Sequence, residues 1–117
     1  MELTMVKASE FDPIAKDPEL TRKLLAVLWE RNLPVLRERI SQLDRTLIAA
    51  QAGTLTAQLR TEAADTAHKL AGSLGMFGYP EGTDFARRLE LQLEAPAPVE
   101  SIRLAEDLAA LRATLSL

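Results

Sequence analysis

The sequence predicts an all-α domain, an up-down antiparallel four-helix bundle, and three observations carry that expectation. Leu and Ala dominate an apolar content of 47%, while aromatic residues make up only 4%. Such a composition favours helix over strand. Apolar residues recur at steps of three and four along most of the chain, the period of a helix with one buried face. Gly and Pro then divide the chain into four long segments joined by short connections, and short connections make sequential helices antiparallel.

Residues 1–17, MELTMVKASEFDPIAKD, show no sustained period and are expected to form an N-terminal arm, leaving 18–117 as the bundle. Asp17 can cap a helix with Pro18 in its first position. From Glu19 to Ala52, the residues Leu25, Trp29, Leu33, Leu36, Ile40, Leu43 and Leu47 form one stripe. Pro34 lacks a backbone donor and crowds the preceding turn. Because the stripe keeps its phase across Pro34, one long helix kinked there is favoured over a break with Pro34 opening a second helix. Gly53 suits a C-terminal cap.

The second helix is expected over 56–77, with Leu59, Ala63, Ala67, Leu70, Leu74 and Phe77 inward. Gly78 stops it, and Pro80 starts a third helix reaching Glu94, with Phe85, Leu89 and Leu93 on one side. The connection APAP, residues 95–98, resists helix. A fourth helix over 99–115 presents Ile102, Ala105, Leu108, Leu111, Arg112 and Leu115.

Several functions are disfavoured at once. The 117 residues suit one domain, and 14 basic against 17 acidic side chains give a net charge of −3 with no basic block. A nucleic-acid partner would need a basic stripe. The chain has no cysteine, which removes disulfides and thiolate metal sites and accords with a reducing, cytoplasmic location. No apolar run approaches the roughly 18 residues of a membrane span, and no signal-peptide pattern opens the chain. No membrane association is expected.

The single histidine, His68, lies roughly 145° from the centre of the second helix's apolar stripe and should face solvent. Its neighbours three, four and seven positions away are Thr61, Ala64, Asp65, Ala71, Gly72 and Gly75. An exposed helix face ordinarily carries Lys, Glu, Gln and Arg, and each interior glycine costs about 1 kcal/mol relative to alanine. The small residues therefore keep the space beside the imidazole open. The competing explanation is that Gly72 and Gly75 let a neighbouring helix approach closely.

One exposed imidazole narrows the chemistry. A hydrolytic triad needs a nucleophile, base and orienting acid held together, and helical geometry puts Ser73 on another face. A metal site needs three or four ligands, usually several His or Cys, so no metal is expected. Nucleophilic use of the imidazole itself remains.

The string AHKLAGSLGMFG, residues 67–78, resembles the signature of histidine-containing phosphotransfer (HPt) domains. In that pattern a helical histidine is followed at the fourth position by glycine, then by small residues, an apolar residue and a closing glycine. Here these are His68, Gly72, Ser73, Gly75, Phe77 and Gly78. The resemblance implies a domain that makes no phosphoryl group itself. His68 would accept one from an aspartyl phosphate on a response-regulator receiver domain, hold it on Nε2 and pass it to another receiver. It implies no cofactor bound by this chain, with Mg²⁺ on the receiver, and a histidine kinase as a further partner. Contact with the phosphoryl group or receiver is expected from Lys69, Gly72, Ser73, Gly75, Ala64 and Ala71. Many HPt domains carry lysine three positions after the histidine; here that position is Ala71, and Lys69 directly follows His68. Two other functions fit the same residues: a chemotaxis-kinase-type phosphoacceptor domain served by an ATP-binding kinase domain, and a helical interaction module whose histidine is not phosphorylated.

Overall fold

The computed structural model describes residues 17–117 and contains four helices: α1 (Pro18–Ala52), α2 (Ala57–Met76), α3 (Pro80–Glu94) and α4 (Ser101–Leu115). The expected arm, except for Asp17, lies outside the described residues. The chain divides into two units, Met1–Leu33 and Pro34–Leu117.

In the first unit, Asp17 caps α1 as its side chain predicts: Oδ1 accepts from the amides of Glu19 at 3.0 Å and Leu20 at 3.2 Å. These are amides that the helix itself leaves without acceptors. Helix α1 runs unbroken through Pro34, so the long-helix expectation holds against a separate second helix. Leu25, Trp29 and Leu33, expected in the core, are half-buried.

The second unit is a four-helix bundle. Its core contains Leu36, Ile40 and Leu43 of α1, with Ala63, Ala67, Leu70 and Leu74 of α2. Leu89 and Leu93 of α3 and Leu104, Leu108, Leu111 and Leu115 of α4 complete it. Contacts between the helix ends fix the directions of α2 and α3. Arg60 near the start of α2 reaches Leu93 near the end of α3, whereas Gly75 at the end of α2 lies opposite Thr83 at the start of α3. These neighbours are therefore antiparallel. Thr66 donates to Gln42, and Arg112 pairs with Asp44, tying α1 to α2 and α4.

The helix ends follow their sequence signals. Gly53 (φ +72°) closes α1, with Thr54 N–H donating to the Ala49 carbonyl at 2.8 Å. Gly78 (φ +78°) closes α2 in the same way, with Tyr79 N–H donating to the Leu74 carbonyl at 2.9 Å. Both are left-handed positions that glycine takes without the Cβ penalty. The α4 stripe differs from expectation at one turn: Ile102 is 77% exposed, and Leu104 is the buried residue. The helix starts at Ser101, so its apolar face runs 104, 108, 111 and 115, a sequence of four-, three- and four-residue steps that leaves Ile102 on the far side.

Candidate functional site

Helix α2 places the histidine. Thr56 caps its start, with Oγ1 accepting from Leu59 N–H at 3.1 Å. Ala63, Ala67, Leu70 and Leu74 are fully buried and lock the rotation of the helix. This rotation turns His68 outward, with its side chain 71% exposed.

The imidazole is nonetheless held. Its Nδ1 lies 2.8 Å from Oε2 of Glu90 on α3, whose side chain is only 17% exposed. A carboxylate can only accept, so Nδ1 carries the hydrogen of this bond, and in the neutral ring that tautomer leaves the lone pair on Nε2. Because the two nitrogens lie on different sides of the ring, anchoring Nδ1 toward α3 points Nε2 away from it. The arrangement is that of a second residue orienting an exposed histidine through its inner nitrogen.

The surroundings divide into two flanks. On the α3 flank, Ala64 and Ala71 are 8% and 3% exposed. The sequence places both on an open face beside His68, and the structure corrects this: α3 packs over that side of α2, so their methyl groups belong to the helix–helix seam. Gly72 and Gly75 are exposed as expected. A Cβ added at Gly72 would meet nothing within 4 Å, so close helix packing does not explain this glycine. At Gly75 it would meet Thr83 Oγ1 at 3.8 Å, an ordinary contact. Met76 is 65% exposed on the same stretch.

On the other flank lie Lys69 and Ser73. Lys69 Nζ pairs with Asp65 at 3.0 Å, and the Ser73 hydroxyl accepts from Arg39 Nη1 of α1 at 3.2 Å. Leu74 is core, and Phe77 is half-buried.

Two residues that shape the site were not singled out from sequence. Glu90 is one. The other is Arg60, which donates to the carbonyls of Leu93 at 2.7 Å, Gln92 at 3.2 Å and Ala97 at 2.7 Å, and also to that of Ala95. One guanidinium thus satisfies the last carbonyls of α3 and pins the connection after it. An open groove runs from there to His68, bordered by Thr61, Asp65, Glu90 and Glu94. Among the described residues, no group of three or more His, Asp or Glu side chains is placed to hold a metal ion. No described helix is long and apolar enough to cross a membrane.

Fold and site together define a class: a helical-bundle domain organised around one outward, oriented imidazole. Comparison with known families gives this class its name. The Hpt domain family matches residues 23–114, and the chain belongs to that family of phosphocarrier modules. Protein RcaC of Microchaete diplosiphon is 38% identical over 65 residues, 56% of this chain and 10% of that protein. The match thus spans about a tenth of the relative's length. No solved structure gives a significant match.

Proposed function

We propose that this Hpt domain carries a phosphoryl group on Nε2 of His68 between the receiver domains of response regulators. The observation that carries the reading is the Nδ1–Glu90 bond on an otherwise exposed ring. It leaves the outward nitrogen as the nucleophile on a helix face where Gly72 adds no side chain of its own.

In the first transfer, the Nε2 lone pair attacks the phosphorus of a receiver's aspartyl phosphate. The P–N bond forms, the P–O bond to the aspartate breaks, and the carboxylate leaves. Nδ1 keeps its hydrogen throughout and donates it to Glu90 Oε2. A second receiver's aspartate reverses the step, and the imidazole departs neutral. The receiver supplies Mg²⁺ and the groups around its own aspartate, so this chain contributes position and access, the main requirements of phosphoryl transfer.

The test is incubation with phosphorylated receiver domains and Mg²⁺. The expected product is a label on this chain that is stable to alkali and lost in acid, absent in His68→Gln. Labelling of His68→Gln, or no label on the wild type from any receiver of the source organism, overturns the reading.

A further inference from the structure

A phosphoryl group on Nε2 brings at least one negative charge to a surface that already holds Asp65, Glu90 and Glu94 around the groove. The cations within the bundle near this surface are differently disposed. Arg60 spends its donors on four backbone carbonyls, and Arg39 is bound to Ser73. Lys69 differs: its partner is an exposed side chain one turn earlier on the same helix, Asp65, at 3.0 Å.

That pairing moves the ammonium. From its Cα alone, Lys69 sits about 100° around α2 from His68, whereas Asp65 sits about 60° around, on the same side. Helical side chains lean toward the N-terminus, and residues three apart are neighbours. An ammonium drawn to Asp65 is therefore carried back along the helix, to the level that the imidazole itself overhangs. It also lies on the flank away from α3, and Glu90 turns Nε2 away from α3. The free nitrogen and the ammonium consequently share one side of the ring.

We propose that Lys69 is the cation that meets the incoming phosphoryl oxygens on this chain and that Asp65 is its positioning residue. The assignment rests on the carrier reading of His68 and deepens it. In the resting state Asp65 holds the ammonium beside the ring. When the phosphoryl group arrives, its more highly charged oxygens compete for the same donors. An exposed pair of this kind contributes little to stability, so the ammonium transfers readily from carboxylate to phosphoryl group.

The experiment uses phosphoramidate, a small donor that needs no receiver. Nε2 attacks its phosphorus, the new P–N bond forms as the donor's own P–N bond breaks, and the protonated donor nitrogen leaves as ammonia. Phosphorylation of His68 is followed by intact mass and ³¹P NMR. Lys69→Ala is expected to slow the reaction about fivefold, the Coulombic scale of one solvated charge pair near 4 Å, and Lys69→Arg to retain most of the rate. In an Asp65→Asn background, Lys69→Ala is expected to cost less than about twofold, and the wild-type difference to shrink in 1 M salt. Both side chains are exposed, at 55% and 60%, so the variants should fold. Wild-type rates in Lys69→Ala, failure of Lys69→Arg to restore the rate, or the same loss in both Asp65 backgrounds overturns the proposal. If phosphoramidate labels His68 with this dependence but no receiver exchanges the group, the relay reading fails and this assignment stands.

Discussion

Removing the Glu90 carboxylate should change which ring nitrogen of His68 carries the hydrogen, and the size of the effect follows from the site. The Nδ1–Oε2 distance is 2.8 Å and the carboxylate is 17% exposed, but the imidazole is 71% exposed. Hydrogen bonds to charged groups contribute about 1.5–3 kcal/mol when well shielded. With one partner largely in water, about 1 kcal/mol is the reasonable figure. That corresponds to about a fivefold preference for the hydrogen on Nδ1. If both tautomers were otherwise equal, the fraction with a free Nε2 lone pair would fall from about five-sixths to about one-half in Glu90→Ala. Tautomer loss alone therefore slows phosphorylation less than twofold, and loss of ring orientation adds a few-fold more. Glu90→Gln keeps an acceptor oxygen and should retain most of the orientation. The assay is ¹⁵N NMR of the imidazole, which distinguishes the two nitrogens, alongside the labelling rate. An unchanged tautomer ratio in Glu90→Ala would refute the reasoning. So would a hundredfold rate loss accompanied by only the expected shift in the ratio.

Two further predictions separate access from stability. Gly72→Ala should raise stability by about 0.5–1 kcal/mol, because an interior helical glycine gives way to alanine in open space. It should leave transfer intact, whereas Gly72→Phe should block transfer from a receiver yet still allow labelling by phosphoramidate; urea denaturation and both labelling assays check this. Arg60→Ala should destabilise the bundle by about 2 kcal/mol by orphaning carbonyls at the end of α3. Arg60→Lys should recover only part of that, since an ammonium lacks the planar fork; the two midpoints in urea provide the measurement.

Much of this was legible in the sequence because it depends on local rules. The caps at Asp17, Gly53 and Gly78 and the start at Pro80 rest on backbone chemistry within a few residues. The outward turn of His68 follows from the phase of Ala63, Ala67, Leu70 and Leu74, which is a property of α2 alone. What required the neighbouring helices was less legible. Ala64 and Ala71 lie only about 40–60° from His68, and whether such a border position is open depends on which side α3 takes. Alanine fits either outcome, so its identity carries no signal. Glu90 does carry a signal in the sequence. In an antiparallel hairpin, residues at similar distances from the turn meet, and Glu90 lies about as far beyond Gly78–Tyr79 as His68 lies before it. Arg60 had none, because its partners are backbone carbonyls, which every residue possesses.

The orientation of the His68 ring is therefore set by the α2–α3 hairpin more than by the helix that bears it. His68 supplies the ring, but Glu90 anchors its Nδ1, and Glu90 reaches the ring only in one register of α3 against α2. Several features hold that register. Gly78 makes the turn, and Pro80 begins α3. Gly82 lies where a Cβ would come within 3.3 Å of Leu74 Cδ1 and 3.5 Å of Leu115 Cδ2. At the far end, Arg60 ties α2 to the last turn of α3. A slip of α3 by one residue would swing Glu90 about 100° around its axis and leave the imidazole unanchored while the core remained apolar. The two ends of the hairpin, each remote from the chemistry, thus fix the orientation of one side chain at its middle.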